Sequence, residues 1–223
     1  MIPLRDVIPS RSTPYITVTI IILNAVAWLF EVSMPQEDLN RFLIAYGMVP
    51  AFFSVPTLIT SMFLHGSWSH ILGNMWYLWI FGDNVEDRLG HGRFIVFYLL
   101  CGIGAALGQF FMDPNSTLPT IGASGAIAGV MGAYFILYPH SRVLTLIPWI
   151  IFWEVIELPA IALLGFWFLM QLFSAGAIAV TASTHGSGGV AFAAHVVGFL
   201  VGLVGVFVFR KREVDRWERI DDY

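Results

Sequence analysis

The sequence predicts an all-α, polytopic membrane protein: a bundle of six transmembrane helices with a structured first loop. Three observations carry this. Hydrophobic residues make up 57% of the 223-residue chain and charged residues only 12%, a balance a soluble domain of this size does not show. Mean hydropathy is +0.77. The apolar residues gather into runs of about 20, the length that crosses roughly 30 Å of hydrocarbon.

The runs lie at Tyr15 to Met34, Ser69 to Val85, Arg93 to Met112, Ser124 to Pro139, Pro159 to Val180 and Val190 to Phe209. The first continues through Trp28 and Phe30 with no small-residue cleavage site, so it is read as a retained span and not a signal peptide. The long connection from Pro35 to Trp68 is amphipathic and aromatic, and is expected to be structured at the membrane surface. Leu144 to Ile156 is also apolar, but it is short, contains Pro148 and ends at Glu154 and Glu157. It is expected to be an interfacial or re-entrant piece. The organisation is therefore residues 1–14 as a cytoplasmic amino-terminal segment, 15–209 as the membrane domain and 210–223 as a charged cytoplasmic tail.

Charge sets the expected orientation. With six spans and the amino terminus inside, Arg5, Arg11, Arg88, Arg93, Arg142, Arg210, Lys211, Arg212, Arg216 and Arg219 all face the cytoplasm, and Arg41 alone lies outside, as the positive-inside rule requires. A seventh span at Leu144 to Ile156 would reverse the tail. The expectation is a multi-pass protein of a prokaryotic plasma membrane with both termini cytoplasmic. The basic residues are scattered singly or sit beside acids in the tail, so no nucleic-acid partner is expected. The single cysteine, Cys101, has no second thiol for a disulfide or a metal and is read as packing.

The polar residues inside the spans can be placed by height. His70 lies 16 residues before Glu86, Ser124 lies 16 before His140, and His195 lies 15 before Arg210. At 1.5 Å of rise per residue, all three stand roughly 22 to 24 Å above the inner boundary. Asn74 shares the face of His70, one turn deeper. A serine among glycines is ordinarily helix packing, and Gly125, Gly129, Gly132, Gly198 and Gly202 do form close-approach faces. Gln109 and Gln171 read as interhelical hydrogen bonds. Histidine in hydrocarbon is costly and marks a functional interior, and two histidines, an amide and a serine at one height point to acyl transfer. Imidazole activates the hydroxyl, and the tetrahedral intermediate needs donors at its oxyanion. His195 serves as base for Ser124, while His70, Asn74 and the N–H groups of Ala123 and Ser124 surround the oxyanion. No carboxylate lies at this height in these spans, so a dyad is expected; Glu31, near the outer end of the first span, is expected to be interfacial. Two histidines without a carboxylate or thiol make an incomplete zinc site, and neither metal nor cofactor is expected. The sequence lacks the mid-membrane acidic residues and repeated broken helices of a transporter.

Three stretches carry a family resemblance: HGSWSHILGNMWYLW from His65, GASGAIAGVMGAY from Gly122 and GGVAFAAHVVGFLVG from Gly188. Together they resemble the signature regions of the rhomboid family of intramembrane serine proteases. His70 and Asn74 match its His-x-x-x-Asn, Ser124 its Gly-x-Ser-Gly, and His195 its Ala-His followed by Gly198 and Gly202. The resemblance implies a rhomboid-like six-helix core with an active site open to the extracytoplasmic side. It also implies membrane-embedded protein substrates: single-span proteins cleaved near that surface at locally unwound, small-residue sites, without a cofactor. A non-catalytic rhomboid-fold protein that binds transmembrane helices is the alternative; such relatives lose the serine or the histidine. Two departures stand out. The first loop reads PTLITSMFLH where many rhomboids carry Trp-Arg, and Ala128 stands where some carry a tyrosine that stacks on the catalytic histidine. Glu86 and Arg88 resemble the family's turn after the second span and are expected to be structural.

Overall fold

The computed structural model describes residues 1–149, 152–181 and 191–211. Its helices are α1 (Tyr15–Val32), α2 (Gln36–Tyr46), α3 (Thr57–Thr60), α4 (Trp68–Leu89), α5 (His91–Met112), α6 (Ser124–Leu137), α7 (Ala160–Thr181) and α8 (Phe192–Phe209). The chain is a helical, multi-pass membrane-type bundle. Among the described residues, α1, α5, α7 and α8 are each long and apolar enough to cross a bilayer. Helix α4 has the length but ends in the polar stretch Asp83 to Arg88, and α6, wholly apolar, has only 14 residues.

The helices begin and end where local chemistry requires. Ser67 caps α4, its hydroxyl accepting from the backbone of His70 at 3.2 Å. Gly90, at φ +83°, makes the reversal from α4 into α5, a backbone state that a residue with a Cβ adopts at a cost. Helix α1 has Pro14 before it and no cap of its own. Its orphan donors are satisfied from α4: the buried Glu86 carboxylate accepts from Ile16 N at 2.9 Å, Thr17 N at 2.8 Å and Thr17 Oγ1 at 2.7 Å. A carboxylate is the fitting partner, because the first turn of a helix carries unpaired N–H groups and the positive end of its dipole. His91 Nδ1 adds a contact to Glu86 Oε1 at 2.6 Å. Glu86 is thus a structural residue, as expected.

Helix α6 runs through the centre, flanked by α4, α5 and α8, and Gly125 to Tyr134 are all buried. The glycines permit backbone contact. A Cβ at Gly198 would collide with the carbonyl oxygen of Gly125, and one at Gly202 with that of Gly129. Cys101 is packed into the same core, facing Gly129.

Leu144 to Ile156, expected to be an interfacial or re-entrant piece, has a local structure that the sequence reading did not specify. It falls in two strands, β2 (Arg142–Pro148) and β3 (Trp153–Pro159), which pair antiparallel, and β2 also pairs with an amino-terminal strand, β1 (Ile2–Asp6), in the order β1-β2-β3. Val143, Thr145, Ile147, Val155 and Ile156 are β-branched, which suits strands, and apolarity alone does not separate a strand from a buried helical piece. Strand β1 lies along α4: Trp76 Nε1 donates to Pro3 O at 2.6 Å and Asn84 Nδ2 to Asp6 Oδ2 at 2.9 Å. The amino-terminal segment is therefore docked on the bundle. Of the expected basic tail, Arg212, Arg216 and Arg219 lie outside the described residues.

Candidate active site

The site is assembled at the start of α6. The segment entering it is held by the first loop: Met48 and Thr120 exchange backbone hydrogen bonds at 3.1 and 2.8 Å, and Gly122 N donates to Ser61 O at 2.9 Å. Gly122 has φ +121°, and His70 Nε2 stands 2.7 Å from the position a Cβ would take there, with Asn74 Nδ2 at 3.6 Å. Only glycine combines that backbone state with the close approach of an imidazole. Ala123, completely buried, is the N-cap of α6, and Ser124 is the first helical residue. Their N–H groups belong to the first four of the helix, which have no intrahelical partner.

Ser124 Oγ and His195 Nε2 are 2.7 Å apart, and the other ring nitrogen, His195 Nδ1, is 2.8 Å from Gln171 Oε1. The His195 backbone N–H donates to Ala191 O at 3.3 Å at the start of α8. The ring of Trp167 lies 5.9 Å from that of His195, tilted by 34°, and Phe192 meets it edge-on at 6.4 Å. A small cavity opens beside Ser124, lined among others by Ser61, Thr120, Gly122, Ala191 and Ala194.

The structure thus brings Ser124 and His195 into contact, and sets His70 and Asn74 against Gly122, two residues before the serine. Three features were missed. His65 is buried with its Nε2 3.0 Å from Asn74 Nδ2, so the amide donates to that ring. Burial, together with the neighbouring His70, lowers the His65 pKa to about 4, keeping the ring neutral at pH 7. Glu31 is completely buried within the protein and accepts from the His65 backbone N–H at 3.1 Å. Gln171 bonds the imidazole, an interhelical hydrogen bond of the expected kind with an unexpected partner, whereas Gln109 Oε1 is buried with no partner among the described residues. The sequence signal for Gln171 was its place on the inward stripe of α7. Leu163, Leu164, Trp167 and Phe168 are buried or half-buried while Phe166, Leu169, Met170 and Phe173 are exposed, and Gln171 continues the inward series.

A family model for the rhomboid domain matches residues 53–212. The chain belongs to the rhomboid family. Similar relatives include "Rhomboid-like protein 11, chloroplastic" of Arabidopsis thaliana, 29% identical over 84% of this chain and 66% of that protein. "Rhomboid protein 1, mitochondrial" of Saccharomyces cerevisiae is 29% identical over 81% of this chain and 50% of its own length. "Putative rhomboid protease YdcA" of Bacillus subtilis is 33% identical over 57% of this chain and 64% of its own. This rhomboid therefore spans half to two thirds of these relatives.

Both departures from the family pattern acquire a physical account. In this rhomboid the first loop, without Trp-Arg, is tied down by Glu31 on His65, by the Met48–Thr120 pair and by Ala51 N donating to Ser116 O at 2.9 Å. With Ala128 in place of a stacking tyrosine, the flank of His195 is covered by Trp167 of α7 instead.

Proposed function

We propose that this rhomboid is an intramembrane serine endopeptidase that cleaves single-span membrane proteins near the extracytoplasmic side of the bilayer. The observation that carries the reading is the 2.7 Å contact between Ser124 Oγ and His195 Nε2 at the start of a buried helix. With Nε2 unprotonated, the hydroxyl donates to it. As Oγ attacks a peptide carbonyl, its proton passes to Nε2 and the carbonyl electron pair moves to oxygen. The oxyanion is met by the N–H groups of Ser124 and Ala123, with His70 and Asn74 converging from α4. Collapse of the tetrahedral state breaks the C–N bond, and the Nε2 proton goes to the leaving amine. Water, deprotonated by the same nitrogen, then hydrolyses the acyl ester.

Helix length supports placing this chemistry below the outer surface. Fourteen residues of α6 rise about 21 Å, short of the roughly 30 Å hydrocarbon layer. The chain before Ser124 must then enter the bilayer as irregular backbone, which is tolerated only where protein satisfies its polar groups. The bonds of Thr120 to Met48 and of Gly122 to Ser61 do that. A six-span core with both termini cytoplasmic accommodates this placement, and its substrates are transmembrane segments that unwind locally at small residues.

The test is labelling of the purified, folded protein with a fluorophosphonate, beside cleavage of a single-span substrate in liposomes, for the wild type and Ser124→Ala. Labelling and cleavage both lost in Ser124→Ala are expected. A folded wild type that binds the substrate but is neither labelled nor cleaves it would mean a helix-binding protein instead.

A further inference from the structure

We infer that Gln171 is a positioning residue for His195: it fixes which imidazole nitrogen carries the proton, so that Ser124, His195 and Gln171 form a hydrogen-bonded chain whose third member is a neutral amide. This rests on the reading of Ser124 and His195 as nucleophile and base.

The argument begins with the two ring nitrogens. A neutral imidazole carries one proton, and only the tautomer with that proton on Nδ1 leaves a lone pair on Nε2 for the serine hydroxyl. His195 Nε2 lies 2.7 Å from Ser124 Oγ and Nδ1 lies 2.8 Å from Gln171 Oε1. A carbonyl oxygen cannot donate, so the Gln171 contact forms only when Nδ1–H donates to it. The productive tautomer is selected by the same bond that orients the ring. When His195 takes the serine proton, the Nδ1–H bond to Gln171 becomes charge-assisted and strengthens. The amide itself accepts no proton.

Gln171 is held for this task. It stands four residues, about one turn, after Trp167 on α7, so both project to the same side. Trp167 lies against the ring from one side and Gln171 takes its edge nitrogen. The stripe leading to it, Leu163, Leu164, Trp167 and Phe168, is apolar, and an amide on such a stripe is stable there when its polar atoms find partners. An amide also differs from the carboxylate usual in this role, because it fixes tautomer and orientation without a full charge against the imidazolium. Its removal is therefore expected to be milder than loss of an aspartate from a charged triad, which drops kcat about 10⁴-fold. Loss of one hydrogen bond to a charged group corresponds to roughly a ten- to hundredfold loss of rate.

The experiment compares wild type, Gln171→Leu, Gln171→Glu and Ser124→Ala in detergent micelles. Fluorophosphonate labelling gives kinact and KI, thermal unfolding gives Tm, and ¹⁵N NMR of histidine-labelled protein, with the His195 signals assigned by their absence in His195→Ala, reports which ring nitrogen is protonated. Expected are an Nδ1-protonated His195 in the wild type, a roughly ten- to hundredfold lower kinact with unchanged KI in Gln171→Leu, loss of the Nδ1 preference in that variant, and recovery in Gln171→Glu, which restores an acceptor. A residue that merely braced α7 would lower Tm and leave the tautomer untouched. An Nε2-protonated His195 in the wild type, or Gln171→Leu with unchanged kinact and tautomer, overturns the inference. If Gln171→Leu does not fold, the wild-type tautomer and the Gln171→Glu rate decide. Failure of the protease reading is separate: it shows as a folded wild type that is not labelled, or as labelling that survives Ser124→Ala, whereas the tautomer of His195 is read by NMR in either case.

Discussion

Replacing Gly198 by alanine tests whether helix packing sets the reactive distance. Gly198 lies on α8 three residues after His195, and its Cα faces the carbonyl oxygen of Gly125, the residue after Ser124. An added methyl would occupy the space of that oxygen, so α6 and α8 must part by roughly 1 Å to restore van der Waals separation. The Ser124 to His195 contact, now 2.7 Å, would open to about 3.7 Å, beyond a hydrogen bond. Misplacement by about 1 Å costs roughly a hundredfold in rate. Overpacking costs about 1–3 kcal/mol, offset by up to about 1 kcal/mol because alanine favours helix over glycine. Net destabilisation is thus about 0–3 kcal/mol, at most roughly 12 °C in Tm. Fluorophosphonate labelling rate and Tm, measured together, should show a rate loss far larger than the stability loss predicts. Gly176→Ala, on α7 with open space around it, is the control and should leave the labelling rate unchanged while raising Tm slightly. Full activity in Gly198→Ala would refute the idea that this glycine contact sets the distance.

Other expectations follow from the same geometry. Ser124→Ala, His195→Ala and the double variant should fall to one common background in a cleavage assay, because nucleophile and base act as a unit; a much worse double variant would dissolve the pairing. His70→Ala should lower turnover roughly a hundred- to a thousandfold, about 2.7–4 kcal/mol, with substrate affinity little changed, whereas Asn74→Ala should lower both turnover and Tm, since its amide also holds His65. Glu86→Ala should destabilise by about 3–5 kcal/mol in denaturant titration, because three donors at the start of α1 lose their buried acceptor. Burial, aided by the like charge of Asp83, pushes the Asp6 carboxyl up to about 6 despite the Tyr134 hydroxyl that donates to it. The folded state then holds more protons than the unfolded one between about pH 4 and 6, so Asp6 contributes stability below its unfolded pKa that is lost as pH rises through about 6. Melting curves of Asp6→Asn should lack that decline.

The helices were legible because burial in lipid demands long apolar runs, and that demand leaves a strong local signal. Their ends were legible to within a few residues for the same reason. The pairing of Ser124 with His195, 71 positions apart, could be read, apart from the family motifs, through depth: equal distance from charged boundaries places two side chains in one layer. Depth does not give azimuth. It placed Asn74 and His70 in that layer but could not show that Asn74 turns part of its amide to His65, or that Glu31 turns inward to the His65 backbone. Gln171 was visible as a polar residue in a span, yet its target depended on how α7 rotates against α8. The sheet was hidden for another reason. Strands of five to seven residues give short patterns, and β1 pairs with residues 137 to 144 positions away, a pairing to which local periodicity is blind.

That pairing constrains how the chain can be threaded. A hydrogen-bonded sheet cannot have one strand on each side of a bilayer, so β1 and β2 share a side and the chain between them must cross an even number of times. Of the helices between them, α1 and α5 are each long and apolar enough to cross a bilayer; the four crossings of a six-span reading, with α4 and α6 added, meet the condition too, a parity that owes nothing to the distribution of arginines. It also orders biogenesis. At about 5–20 residues per second, β1 leaves the ribosome roughly 7–27 s before β2 follows, and it has no strand to join until α6 has been delivered. Closure of the sheet is then a signal of completion: an amino-terminal strand protected from exchange or proteolysis would mark chains in which α6, the helix that carries Ser124, is already in place.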